Sequence, residues 1–107
     1  MNEIVSGLSA SPGKIEGVAI IVSEKTLASD FDEGSILITE FTSPVFNPLI
    51  KKASAIVTDM GGTLCHAAII AREFGIPCIV GAQNATKIIK TGQKILVDAT
   101  EGKVYEL

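Results

Sequence analysis

Thr58-Asp59-Met60-Gly61-Gly62-Thr63-Leu64-Cys65-His66 reads as the end of a strand, a glycine turn and the opening of a helix. The chain's one histidine stands at that opening. Upstream, Ala55-Ile56-Val57 is an apolar, β-rich run closed by polar Thr58 and Asp59, the pattern of a buried strand. Downstream, Leu64 to Phe74 is the clearest helix. Thr63 is the expected cap, and Gly75 followed by Pro77 is a stop signal. Ala67, Ile70, Ala71 and Phe74 fall at i, i+3, i+4 and i+7 and form one apolar stripe. Arg72 falls on the far side of it, and His66 in the first turn at its edge.

The same strand pattern recurs in Ile36-Leu37-Ile38-Thr39-Glu40 and Ile95-Leu96-Val97-Asp98, at spacings too irregular for a repeat. Further strands are expected over Gly17 to Ser23, Pro77 to Gly81 and Lys103 to Glu106, with turns at Gly34, Gly92 and Gly102. Two more helices are expected. Pro44 to Ala53 begins on a proline, which a first turn tolerates, and Asn84 to Lys90 has Asn84 or Thr86 near its cap. The pattern is α/β with a mainly β core, organised as one domain over residues 1–107.

The site chemistry follows from the helix entrance. The first N–H groups of a helix lack intrahelical partners and carry partial positive charge, so an anion is favoured there. Gly61-Gly62 permits positive φ and keeps side chains out of the approach. The same helix-end field disfavours an imidazolium by ~0.3–1 kcal/mol, which biases His66 toward its neutral, nucleophilic form. A phosphoryl group placed on that ring would bring negative charge to the N–H donors, with Thr63 adding a hydroxyl. Two other readings compete. His66 could simply pack or cap a helix start. Cys65 could be a thiolate nucleophile, activated by the helix end, although adjacent residues on a helix diverge by ~100° and pair poorly.

Composition narrows the function classes. The 107 residues hold 47% hydrophobic and 20% charged side chains, which suits a globular fold rather than a disordered chain. A net charge of −3 with no basic stripe argues against nucleic acid. Trp is absent and Tyr occurs once, so a base-stacking platform is not expected. No apolar run approaches ~20 residues and no secretory leader is visible, which points to a cytoplasmic setting with no membrane contact. Cys65 and Cys78 make neither a disulfide framework nor, with His66, a zinc site; no metal ligands are expected. Gly7 to Ile15 mimics a P-loop, but five residues separate Gly7 from Gly13 and Ile15 replaces the hydroxyl residue; a turn before a strand is expected instead. Asn84-Ala85-Thr86 is a chance glycosylation match, and Lys51-Lys52 a solvated helix end.

The run from Gly61 to Gly81, GGTLCHAAIIAREFGIPCIVG, resembles the signature of the phosphoenolpyruvate-utilising mobile domain, a phosphohistidine swivelling domain. The likeness extends to Ser9–Gly17, to Thr42-Ser43-Pro44 as the family's threonine-x-proline, and to Gly92–Tyr105. It implies a swivelling β/β/α fold in which the histidine matching His66 takes a phosphoryl group on Nε2. The domain would then swing between a nucleotide-binding domain and a phosphoenolpyruvate/pyruvate-type or other acceptor domain, in cis or in trans. Magnesium and nucleotide would be held by those partners, with no cofactor on this domain. On this reading His66 is catalytic. Thr63, Gly61, Gly62 and Cys65 stabilise the phosphoryl group, and Arg72 is a docking or salt-bridge residue. Two positions depart from the pattern: Leu64 stands where several relatives have threonine, and Val45 follows Pro44 where an acid is common. The isolated chain is not expected to turn over alone. The alternative expectation is a non-catalytic interaction or regulatory module that keeps the same fold.

Overall fold

The computed structural model describes residues 2–107. Eight strands carry the fold: β1 (Asn2–Ser6), β2 (Leu8–Ser11), β3 (Lys14–Ile21), β4 (Ile36–Thr39), β5 (Ala55–Thr58), β6 (Cys78–Val80), β7 (Lys94–Asp98) and β8 (Lys103–Glu106). Three short helices accompany them: α1 (Asn47–Ile50), α2 (His66–Phe74) and α3 (Ala85–Ile88). The strand order is β1-β8-β7-β3-β4-β5-β6-β2. β1, β8, β7 and the first half of β3 pair antiparallel. The second half of β3 pairs in parallel with β4, which continues in parallel to β5 and β6. β2 closes the far edge antiparallel to β6.

Two crossings stitch the halves together. β3 pairs with β7 over residues 14–18 and with β4 over residues 19–21. On the opposite edges, β1 and β2 are one extended run interrupted only by Gly7, whose N–H donates to the Gly102 carbonyl at 2.8 Å. A Cβ on Gly7 would lie 2.7 Å from the Val80 carbonyl oxygen, so this crossing requires glycine.

Side-chain alternation then makes three layers. Ile36, Ile38, Ala55, Val57 and Ile79 face one core with Ile95, Val97 and Val104 of the antiparallel half. Leu37, Ile56, Cys78 and Val80 face a second core with Phe31, Leu49, Ile50, Ala67, Ala68 and Ala71. Strands buried on both faces read as unbroken apolar runs, which is why β4, β5 and β6 were legible. The β/β/α architecture is present.

Several boundaries differ from expectation. In the stretch Gly7 to Ile15 the chain breaks at Pro12-Gly13, directly before β3 and with Gly13 at φ +135°, as expected of a turn before a strand, but β2 was not expected ahead of it; β1 and β2 lie at sheet edges and lack an apolar run. The helix expected over Pro44–Ala53 is a 3-10 turn over Pro44–Phe46 followed by four α-helical residues, since Pro44 and Pro48 each withhold an N–H. α3 is not capped by its own side chains. The Asp59 carboxylate caps it from the end of β5, accepting from the N–H of Thr86 at 3.0 Å and from the Thr86 hydroxyl.

Candidate functional site

The site lies at the carboxyl ends of the parallel strands, where crevices open in α/β sheets. Thr39 and Thr58 end β4 and β5 directly opposite one another. Each hydroxyl donates to a carbonyl two residues on, Thr39 to Phe41 at 3.3 Å and Thr58 to Met60 at 2.7 Å. The ladder continues past the strands, with Asp59 N–H on the Thr39 carbonyl and Met60 N–H on the Glu40 carbonyl. Two loops are thereby held side by side, one carrying Thr42 and the other Gly61 to His66.

Gly61 adopts φ +113°, and a Cβ there would lie 2.9 Å from Cys65 Sγ. Glycine is required here for both reasons. The Gly61 carbonyl also packs closely on Gly81, where an added Cβ would sit 3.0 Å away. Gly62 has open space around it, and its carbonyl accepts from the Cys65 N–H at 3.1 Å.

The helix starts later than the sequence suggests. The cap residue is Cys65, extended at φ −74° and ψ 168°, and no side chain caps the helix. Thr63 is exposed and is not the cap. The physical reason is the half-buried Cys65 thiol, which tucks beneath Gly61 and holds residues 62–65 in a turn. A favourable threonine cap is worth only ~1 kcal/mol and yields to that packing. His66 is consequently the first residue of α2 rather than one near its third position. Its own N–H and those of Ala67 and Ala68 precede the first intrahelical bond, Ile69 N–H to the Cys65 carbonyl, and form the anion-favouring end of the helix. At the other end Gly75 takes φ +68° and terminates α2 as expected.

The buried face of α2 is Ala67, Ala68 and Ala71. Phe74, expected in that stripe, is 43% exposed. Small residues let α2 approach β2, β5 and β6 closely. Arg72 extends to the sheet edge, where its Nε–H donates to the Ala10 carbonyl at 2.8 Å. It ties α2 to β2, away from His66.

The imidazole of His66 is half-buried, and its Nδ1 lies 2.8 Å from the Thr42 hydroxyl. Nε2 makes no hydrogen bond among the described residues. A hollow of about 230 Å³ lies alongside, lined by Phe41, Thr42, Met60, Gly61, Cys65 and Ala67. A larger hollow of about 430 Å³ shares Phe41 and is bordered by Glu24, Lys25 and Glu40, but it holds no nucleophile. With Nδ1–H donated to Thr42, a neutral ring carries its lone pair on Nε2. Thr42 was legible only as part of a threonine-x-proline; its separation of 24 positions from His66 hides the pairing.

No hydrogen bond joins Cys65 Sγ to the imidazole among the described residues, so the cysteine–histidine pair that thiol catalysis needs is not formed. Burial, with the nearby Cys65 thiol adding to it, pushes the Cys78 thiol up to about 12. Cys78 is therefore protonated and inert at neutral pH. Iodoacetamide at pH 8 is expected to alkylate Cys65 alone in the folded protein and both cysteines in urea, as read by peptide mass.

The chain is similar to known proteins. Residues 31–102 match the family model described as PEP-utilising enzyme, mobile domain, and the chain belongs to that family. A probable phosphoenolpyruvate synthase of Staphylothermus marinus is 51% identical over 105 residues, spanning 96% of this chain and 13% of that protein. The rifampicin phosphotransferase of Bacillus cereus is 44% identical over 105 residues, spanning 98% of this chain and 12% of its own length. The chain thus spans about an eighth of the length of these relatives. Among solved structures, Thermococcus kodakaraensis aconitase X (holo-form) is similar with a TM-score of 0.74 and 25% identity, covering 100% of this chain and 99% of that one. Enzyme I (nEIt) is similar with a TM-score of 0.65 and 32% identity, covering 76% and 34%. No helix among the described residues is long and apolar enough to cross a membrane.

Proposed function

We propose that this chain is a phosphoryl carrier whose acceptor atom is His66 Nε2. The observation that carries the reading is the ring's asymmetry: Nδ1 is engaged by Thr42, whereas Nε2 has no hydrogen-bond partner among the described residues and belongs to the first residue of a helix. The Nε2 lone pair attacks phosphorus in line, and the P–Nε2 bond forms as the donor's P–O bond breaks. The electron pair leaves with the donor oxygen. The ring keeps its proton on Nδ1, where the Thr42 hydroxyl accepts it and steadies the positive charge. Delivery to an acceptor is the reverse. Positioning and charge stabilisation are the protein's contribution.

In this proposal the backbone N–H groups of α2 face the phosphoryl oxygens, with Gly61, Gly62, Thr63 and Cys65 bordering the approach. The domain moves the group between a nucleotide-binding domain and a phosphoenolpyruvate/pyruvate-type or other acceptor domain. Those partners hold nucleotide and Mg2+, and the carrier does not turn over by itself. Arg72 serves here as the strut of α2. The test is incubation with radiolabelled phosphoenolpyruvate or β-labelled ATP and a cognate donor domain. Acid-labile, alkali-stable label on this chain supports the carrier.

Thr42→Val removes the partner of Nδ1. A hydrogen bond to a charged group contributes ~1.5–3 kcal/mol, so labelling is expected to slow roughly 10- to 100-fold. Thr42→Ser is expected to restore most of the rate. A second reading, a non-catalytic module, draws on the full-length likeness to Thermococcus kodakaraensis aconitase X; no label under any donor pairing would favour it.

A further inference from the structure

The carboxyl ends of β3 and β4 frame the larger hollow, which shares only Phe41 with the hollow beside the imidazole. These strands run parallel, and their ladder continues to Val22, whose N–H donates to the Ile38 carbonyl at 2.8 Å. Crevices outside such strand ends are where open α/β sheets bind ligands. The hollow measures about 430 Å³, within the ~300–1,000 Å³ of small-molecule sites. Val22, Phe41 and Phe46 give it an apolar lining, and Glu24, Lys25 and Glu40 a charged one. Both walls are fixed by their own hydrogen bonds. In the turn after β3, Ser23 N–H donates to the Thr26 hydroxyl at 3.0 Å and Lys25 N–H to the Ser23 hydroxyl at 3.2 Å. After β4, the Thr39 hydroxyl donates to the Phe41 carbonyl.

The charges decide the class of occupant. Lys103 with Glu3 is the one ion pair among the described residues, so the Lys25 ammonium is paired with neither carboxylate of the hollow. An anion would face two carboxylates, and a simple cation would leave Lys25 opposed. A metal ion would need further donors, and no group of three His, Cys, Asp or Glu side chains gathers among the described residues. A molecule carrying both charges on an apolar body answers all of the lining. Its ammonium meets Glu24 and Glu40, its carboxylate meets Lys25, and its body covers the phenyl rings. We propose that this hollow binds a free α-amino acid with an apolar side chain. The occupant would share the Phe41 wall with the His66 hollow, one residue from the Thr42 hydroxyl that meets Nδ1. Binding at this site is independent of the carrier reading.

Amide NMR of the full chain, titrated with L-phenylalanine at pH 7, tests the site. Shifts around the hollow, at residues 22–26 and 39–42, are expected to saturate with a dissociation constant of about 1 mM or tighter. Three compounds each lack one feature: phenethylamine the carboxylate, 3-phenylpropionate the ammonium and glycine the apolar body. Each should bind weaker by roughly 5-fold or more. Lys25→Met keeps the aliphatic stem and should weaken L-phenylalanine by roughly 5-fold or more while leaving phenethylamine within about twofold. Glu24→Gln with Glu40→Gln should weaken L-phenylalanine and phenethylamine alike. All three side chains are exposed, so the fold tolerates these changes. Absence of saturable shifts around the hollow overturns the proposal. So does equal binding by any of the three comparison compounds, or an unchanged dissociation constant for L-phenylalanine in either variant.

Discussion

His66→Ala is expected to remove all acid-labile phosphoryl label from the chain, a loss on the order of 1,000-fold or more, at the detection limit of such an assay. His66 is the only histidine; the neighbouring thiol, Cys65, lies against Gly61 and lines the same hollow. A thiol ester of phosphate would also be recognised by different acid and alkali lability. The substitution should leave the fold intact. The ring is half-buried at the first helical position and makes one side-chain hydrogen bond, between Nδ1 and the Thr42 hydroxyl. Changes at such positions usually move stability by about 1 kcal/mol or less, and alanine has the best helix propensity. Unchanged circular dichroism with complete loss of label therefore separates chemistry from folding. Residual label of the same lability on His66→Ala would place the acceptor elsewhere.

The second large effect is on stability. Phe31 is fully buried, in the core shared by the parallel strands and helices α1 and α2. Phe31→Ala removes most of a large ring from close-packed surroundings, which costs ~3–5 kcal/mol including the cavity left behind. A domain of this size is stable by ~5–15 kcal/mol, so roughly a fifth or more of the margin should vanish. Urea denaturation should show a lower midpoint with an unchanged slope. Because α2 packs on this same core, labelling of the variant should fail as the temperature approaches its lowered melting point. Val18→Ala is the contrasting case. Val18 is 37% exposed on β3 and should cost well under 1 kcal/mol.

The parts of the fold that could be read in the sequence were those whose signal is local. β4, β5 and β6 are buried on both faces and announce themselves as apolar runs, and α2 has its period and its Gly75 stop. Gly61 takes the positive φ that the glycine pair permits, and Gly62 does not, because this strand–glycine–helix junction needs such a backbone at one position only. What escaped was non-local. β1 and β2 are strands only because β8 and β6 lie beside them, roughly 70–100 residues on in the chain. Asp59 read as the polar close of a strand, and nothing nearby reveals that it caps α3. The Thr63 cap failed for a similar reason. Thr63 had the right propensity, but Cys65 had a place to pack, and packing outweighed propensity. Thr42 carries the most consequence. Its hydroxyl engages Nδ1 of the imidazole, yet it reaches His66 only because Thr39 and Thr58 end adjacent parallel strands in register.

The most direct test is nitrogen NMR of His66 in 15N-labelled protein, before and after phosphorylation. The account predicts a neutral ring protonated at Nδ1 at pH 8, and phosphorus coupling to Nε2 in the labelled form. A ring protonated at Nε2 before reaction, or phosphorus bonded to Nδ1 after it, would contradict the account.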